Sequence, residues 1–575
     1  MGPHGRGRVS AAFAVALASW LVGSCAVSTE EPRFEAPAAG GGENFAAYVA
    51  GRFADETGDP RAADFLLEAA RRAPDNAAIL NRAFLALITA GRISEAVQVA
   101  ADLERRGTTN SIAALVLALD AFKRQDYATA MAWQARIGGG GFEALISPIL
   151  RAWLLAVKGE RAQALGALDP LRAMVALRPF ALSHRAYILD YLGDQESAKA
   201  AYQEVLEGAR LSSLQPVLSY AAFLQRRGES TEALALIEKY ALLFPNSAYL
   251  DRTRNRLLAA QPIEPVTATP QGAVGLVLFR AASELERQDV HQPAIIYARL
   301  AMLLTPQSNE ARLRLSSMLA DAGFYDAALG VLDPVGRDDG DYAMARLQAA
   351  WIYQQSGDVE AAIGALTDFL AGHPDNVRGW ATLGDIYRTE ERFREAARAY
   401  TRAIALLPRS KEVDPWFLYF TRGIAYERMG EWAIAEADLL KALDLNPEEP
   451  QLLNYLGYSW IDRGLNLERG TELIEKAASL RPNDGFIVDS LGWAHYLRGN
   501  YDEAVKHLER AVELEPTDPT INDHLGDAYW QVGRHMEARF QWRHALTFKP
   551  QKESDRRRIA EKLEYGLEFA DAGTP

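Results

Sequence analysis

The residues with the widest chemical range in this 575-residue chain are its nine histidines, and five fall late: His495, His507, His524, His535 and His544. A helical metal pair needs two histidines four apart on one face, and no two of these are so spaced. The nearest pairs, nine and eleven apart, are expected on different helices as ordinary core or surface side chains. The run Gly138-Gly139-Gly140-Gly141 leads into Phe142, without the Lys-Ser/Thr that completes a phosphate loop, and reads as a turn. Carboxylates abound, yet no pair stands out for acid/base work. The basic run Arg556-Arg557-Arg558 reads as a solvated helix face. A single cysteine, Cys25, excludes an internal disulfide and a thiolate metal cluster. These residues imply no catalytic centre, no cofactor and no metal, and the chain is expected to bind rather than to catalyse.

Stepping along the sequence, Arg6 and Arg8 precede an apolar run, Val9 to Val22, rich in Ala, Val and Leu. A bilayer-spanning helix needs about 20 apolar residues, so a basic start and a short apolar middle describe an export signal instead. The run ends Leu21-Val22-Gly23-Ser24-Cys25, which resembles the lipobox of bacterial lipoproteins. The resemblance implies cleavage after residue 24, lipidation of Cys25 and a multiply acylated anchor. Ala26, rather than aspartate, follows the cysteine. In that family this favours the outer membrane, with the protein facing the periplasm. Residues 25–43, with Pro32, Pro37 and Gly40-Gly41-Gly42, read as a flexible tether.

Beyond the tether the sequence is periodic. A glycine, a small residue and a proline recur as Gly384/Ala396/Pro408, Gly423/Ala435/Pro447, Gly492/Ala504/Pro516 and Gly526/Ala538/Pro550, each spaced 12 and then 12. The set Gly457/Gly470/Pro482 has one extra residue, placed in the turn around Gly464. Two amphipathic helices of about a dozen residues cannot bury their apolar faces alone and must stack with neighbours. Small residues let them approach closely, and the proline ends the second helix. Trp380-Ala381-Thr382-Leu383-Gly384-Asp385-Ile386-Tyr387, followed by Ala396, Tyr400, Ala403 and Pro408, resembles the tetratricopeptide repeat.

Weaker copies lie upstream. Ala62/Pro74, Ala233/Pro245, Ala294/Pro306 and Ala362/Pro374 keep the spacing of 12, and Ala96, Ala130, Ala164, Ala198 and Ala328 place further repeats. The expected fold is therefore all-α, a superhelical solenoid of helical hairpins with about fourteen repeats. Three prolines between Pro262 and Pro270 forbid helix there. They divide a degenerate array, 44–260, from a regular one, 273–550, by a connector, 261–272. Residues 551–575 read as a capping helix and tail.

In such a fold the first helix of each hairpin lines the concave face. Its exposed stripe should fall six and three before the repeat glycine and one and four after it. In the last four repeats this selects Phe417, Phe420, Ile424, Asn454, Tyr458, Asp489, Trp493, Tyr496, Asp523, Asp527 and Trp530 as a partner-binding groove. Aromatic anchors among carboxylates suit a protein interface. The stripe lacks the Lys/Asn/Arg set by which chaperone-binding tetratricopeptide domains grip a C-terminal carboxylate. The net charge is −14, and −16 once residues 1–24 are removed. Such a surface repels phosphate backbones and excludes nucleic acid as a natural partner.

The lipobox, the paired arrays, and the segments Gly457-Tyr458-Ser459-Trp460 and Asp489-Ser490-Leu491-Gly492-Trp493 together resemble outer-membrane tetratricopeptide lipoproteins. Those adaptors bind a periplasmic carboxyl-terminal processing protease and present peptidoglycan hydrolases to it. The resemblance implies a scaffold that raises the effective concentration of protease and substrate. A scaffold for outer-membrane protein insertion, polysaccharide export or pilus biogenesis remains the alternative. An enzyme with a repeat appendage would need a non-repeat domain of about 100 residues, and the repeats leave no room for one.

Overall fold

The computed structural model describes residues 42–567, apart from 58, 60, 109, 208–212, 245–246, 408–412 and 551. The signal segment, Cys25 and the tether up to residue 41 lie outside the described residues, as do Pro245, Pro408 and Phe569, while residues 42 and 43, expected in the tether, already belong to the helix Gly42–Thr57. Among the described residues every regular element is a helix. Fourteen successive helix pairs run from Gly42–Thr57 with Ala62–Arg72 to Pro519–Gln531 with His535–Thr547, followed by a lone helix, Glu553–Tyr565. Two further unpaired helices are described: the short Asp169–Ala173, and Ala248–Leu258, which precedes the Pro-rich segment. The chain has the tetratricopeptide solenoid fold.

The small residues explain why the pairs form. Ala96, Ala130, Ala164, Ala198, Ala233, Ala294, Ala328, Ala362, Ala396, Ala435, Ala504 and Ala538 are all fully buried near the start of a second helix. The facing glycines of the regular repeats leave space for the second helix. A Cβ on Gly384 would sit 2.6 Å from the Tyr400 ring, one on Gly492 2.6 Å from Leu508, and one on Gly526 inside the indole of Trp542. Gly457 meets backbone, its Cβ position lying 2.6 Å from the Gly470 carbonyl oxygen. Two glycines face one another in the repeat that lacks the alanine.

Turns between the paired helices follow one recipe. Gly91, Gly159 and Gly193 take φ of 78°, 76° and 77°. The next amide then donates back across the turn, as Arg92 N–H does to the Leu87 carbonyl at 2.8 Å. This left-handed closure satisfies carbonyls that the helix end would orphan. In the inserted repeat Gly464 has φ 65° and Asn466 also turns left-handed, at φ 43°. The extra residue is absorbed in the turn, and both flanking helices keep their length.

The chain forms two compact units, one ending at Asp358 and the other beginning at Val359. The connector 261–272 thus lies inside the first unit. It is fastened there: the Gln225 side chain accepts from the Ile263 amide and donates to the Gln261 carbonyl, both at 2.8 Å, and buried Thr267 shares a hydrogen bond with Ser219 at 2.7 Å. It is also shorter than its proline pattern implies. Pro270 opens the helix Pro270–Arg287, with the Thr269 hydroxyl accepting from the Gly272 amide. Thr-Pro here is a helix start, cap followed by first residue. Gly272 leaves room for the Val266 carbonyl.

The segment then turns back on the early repeats. The hairpin Pro270–Arg287 with His291–Leu304 packs against the first helices Ala77–Thr89, Ser111–Lys123 and Glu143–Ala156. Arg299 donates to the Thr89 carbonyl at 3.1 Å, and the Tyr297 hydroxyl donates to Glu143 at 2.9 Å. On the early first helices of the first unit the face expected to line a groove is therefore covered by the chain itself.

The close approach can be tested by a matched pair. Gly457→Ala forces a methyl against a carbonyl, an overpacking cost that outweighs the helix-propensity gain, for a net loss of about 1–2 kcal/mol. Gly364→Ala, in a helix with nothing within 4 Å of the new Cβ, should gain up to about 1 kcal/mol. Thermal unfolding of the two variants should shift in opposite directions; equal shifts would refute the packing account.

Candidate binding groove

The second unit carries the predicted stripe on the first helices Pro415–Arg428, Pro450–Asp462, Gly485–Leu497 and Pro519–Gln531. Its members divide into three groups. Phe417 is 36% exposed, and Asn454, Tyr458, Trp493, Tyr496 and Ile424 are half-buried. Phe486, from the same register, is 55% exposed. The rings are preorganised: Trp493 is stacked between Tyr496, at 4.6 Å, and His524, at 4.0 Å. Tyr458 packs beside Ile461, Ile474 and Leu491. Burial, with the nearby carboxylates of Asp462 and Asp489, pushes its hydroxyl up to about 12.

A second group is buried between neighbouring repeats and presents little to a partner. Phe420 lies edge-on against Tyr455 of the next first helix, at 5.7 Å. Asp489 is buried against His524, whose Nδ1 lies 3.0 Å from its carboxylate. First helices touch one another on this face, so a stripe assigned wholly to solvent loses members to that seam.

The third group is covered by the end of the chain. Asp523 and Asp527, 2% and 4% exposed, enclose the ammonium of Lys562 from the helix Glu553–Tyr565. Lys562 Nζ donates to both Asp523 oxygens at 2.9 and 3.0 Å and to Asp527 Oδ2 at 2.7 Å. Trp542 Nε1 donates to the other Asp527 oxygen at 2.9 Å. Arg558 reaches Asp523 at 3.2 Å while staying exposed like Arg556 and Arg557, so the basic run is a solvated face with one anchored member. Trp530 is stacked on His535 at 4.1 Å and has Gly566 lying close over its ring. Asp523, Asp527 and Trp530 are thus occupied rather than open. Two aspartates four apart on one helix face, with a lysine in the terminal helix, were the available signal.

Among the described histidines all but His291, which lies 3.0 Å from Asp289, pack against other rings. His495 and His507 stack at 5.4 Å across one hairpin. His535 and His544, expected on different helices, share His535–Thr547, where a spacing of nine puts them on opposite faces. Buried His184 accepts from Trp153 Nε1 at 3.0 Å, and burial lowers it to about 3. Among the described residues no group of three His, Cys, Asp or Glu could hold a metal ion, and no helix is long and apolar enough to cross a membrane.

A further cleft, in the first unit, has a volume of about 330 Å³ and is lined by Tyr249, Glu310, Arg314, Met344 and Trp351 among others. Trp351 and Met344 are exposed, and burial pushes the Glu310 carboxyl up. The same register rule finds it once counted from the second-helix alanine. Twelve before Ala328 and Ala362 are Ser316 and Ala350, which point the rule to Glu310, Leu313, Ser317, Met344 and Trp351.

Models of the tetratricopeptide repeat match residues 181–207, 347–411, 416–449 and 492–533. These segments coincide with paired helices of the fold. The chain carries tetratricopeptide repeats in these segments. Its repeats are 27% identical over 197 residues to the "TPR repeat-containing protein PA4667" of Pseudomonas aeruginosa, covering 34% of this chain and 27% of that one. They are 33% identical over 137 residues to the cytochrome c-type biogenesis protein CycH of the same organism, covering 23% and 31%. They are also 25% identical over 193 residues to human tetratricopeptide repeat protein 13, covering 33% and 22%. The chain thus spans between about a fifth and a third of these relatives' lengths. Among solved structures, the Cut9–Hcn1 hetero-tetramer of the APC/C matches 79% of this chain and 95% of that one at 16% identity and TM-score 0.38. MamA matches 29% and 94% at 26% identity and TM-score 0.27. Tetratricopeptide repeats are protein-interaction scaffolds, generally without catalytic activity, and bind partners through the repeat surface.

The His524 contact predicts a pH response. Burial pushes the imidazole down, but Asp489, with Asp523 and Asp527 beyond it, outweighs this and the net shift is upward. Histidinium is therefore favoured in the folded state, and its stabilisation is complete below the ordinary value of about 6.5 and lost as pH rises through the higher folded value. Between about pH 6 and about pH 8 the unfolding midpoint should fall, and Asp489→Asn should remove that dependence. An unchanged slope in the variant would discard the pair as its source.

Proposed function

We propose that this protein is a lipid-anchored scaffold of the bacterial envelope, tethered through Cys25 to the outer membrane and facing the periplasm. Its partners are a periplasmic carboxyl-terminal processing protease and the peptidoglycan hydrolases delivered to it. The observation that carries the binding role is the half-open aromatic stripe Phe417, Tyr458, Phe486, Trp493 and Tyr496, set among carboxylates on consecutive first helices. Aromatic anchors held rigid by stacking lose little entropy on binding. The envelope location is supported by the sequence around Cys25. Because several first helices carry the stripe, two partners can be engaged at once, and tethering raises their local concentration without new contacts.

A scaffold for envelope assembly is the second reading. It is favoured by the 33% identity to a protein named for cytochrome c biogenesis.

Affinity capture from a periplasmic extract with residues 26–575 separates the two. Recovery of a processing protease supports the first reading, and recovery of insertion, export or biogenesis machinery supports the second. Capture of neither by a folded chain overturns both. Replacing Phe486 and Trp493 with Ala should weaken capture about tenfold or more while helicity is retained. In cells Cys25→Ala should move the protein from the membrane fraction to the soluble one; continued sedimentation with the outer membrane would remove the anchor.

A further inference from the structure

The helix Glu553–Tyr565 is held in an unusual way for a terminal cap. Of its thirteen residues only Ile559 and Lys562 are buried. A cap needs a polar outer side and an apolar inner one. Here the inner side is a lysine enclosed by two aspartates, each almost fully buried. Burying such charges costs several kcal/mol per ion, and apolar residues of similar size hold at least as well. What the ions add is selectivity. Three ammonium hydrogens meet three carboxylate oxygens at 2.7–3.0 Å, which accounts for every donor a lysine has. Trp542 Nε1 fixes the orientation of one of the two carboxylates.

We propose that the notch between Asp523 and Asp527 is a receptor for a lysine carried on an amphipathic helix of a partner protein, and that Glu553–Tyr565 occupies it as a displaceable stand-in. The stand-in defines the ligand: arginine, an apolar residue and, three positions on, lysine, as in Arg558, Ile559 and Lys562. Arg558 contacts Asp523, and His524, the next residue in sequence, is stacked on Trp493 at 4.0 Å, which in turn is stacked on Tyr496 at 4.6 Å. The notch therefore lies beside the Trp493–Tyr496 end of the half-buried stripe. A partner helix longer than this one would gain those aromatics, which is how it overcomes the high effective concentration of a tethered competitor. The acidic notch favours basic helices and repels acidic ones. This inference rests on the second unit being a binding surface and names the chemistry of what it binds.

The test uses the full chain and a fluorescent peptide of residues 553–567, read by anisotropy. Wild type should bind the peptide weakly, because its own helix fills the notch. Lys562→Glu in the chain places a third carboxylate beside Asp523 and Asp527, expels the helix and should tighten peptide binding at least about tenfold. A peptide carrying the same substitution should bind neither chain. Should Lys562→Glu cost helicity, the Arg558→Ala, Ile559→Ala chain loosens the same helix without adding charge and should show a smaller gain in the same direction. Equal binding by all chains, or binding indifferent to the peptide's lysine, overturns the proposal. Because the probe is this chain's own sequence, its binding is independent of which envelope proteins are recruited. Failed capture with successful probe binding would refute the adaptor reading alone.

Discussion

The structure depends on how closely two helices of a hairpin can approach. In twelve of the fourteen described hairpins a fully buried alanine near the start of the second helix faces the first. In the regular repeats the first helix answers with a glycine whose missing Cβ is replaced by Tyr400, Leu439, Leu508 or Trp542. Close packing at that point sets the distance between helices, and the distance sets which side chains reach the next hairpin. Bulky buried residues such as Trp460 and Trp542 then fill the space behind the contact. A lone hairpin has no such second layer, and the stack is the smallest stable object.

That constraint governs one side of each first helix and leaves the opposite side free to vary. The two units use the freedom differently. In the first, a hairpin from later in the chain lies across the early first helices, with Arg299 and Tyr297 making hydrogen bonds 210 and 154 residues away in sequence. In the second, the terminal helix takes the last two aspartates of the stripe. Both are intramolecular occupants of a face that tetratricopeptide repeats use for partners. What stays accessible is the aromatic part of the second unit and the acidic cleft around Glu310 and Trp351.

The periodic part of the fold was legible because it is local. An alanine 12 residues before a proline marks a hairpin even where the glycine has gone, and those alanines are buried in the structure. The insertion at Gly464 was legible for the same reason. The return of Pro270–Leu304 was not, since a Pro-rich segment announces the end of helix without saying where the chain goes next. Phe420 and Asp489 were misplaced by treating each first helix as a separate surface, when Tyr455 and His524 of the next helix cover them. Lys562 was invisible as a core residue because a lysine in a charged terminal helix looks like every solvated lysine.

Charge connects these observations. At −14 the chain repels anionic partners at long range, while some of its carboxylates lie beside rings that offer apolar contact. Glu310 lines a cleft with Tyr249, Met344 and Trp351, and Asp527 accepts a hydrogen bond from Trp542. An acid in such surroundings loses hydration and gains by meeting a cation, and the terminal helix supplies one where it can reach. The cleft in the first unit has Arg314 in its wall and, among the described residues, no lysine-bearing helix laid into it. A basic segment with an apolar neighbour satisfies both halves of such a surface at once. A surface of that kind selects by the combination of charge and apolar contact rather than by net charge alone.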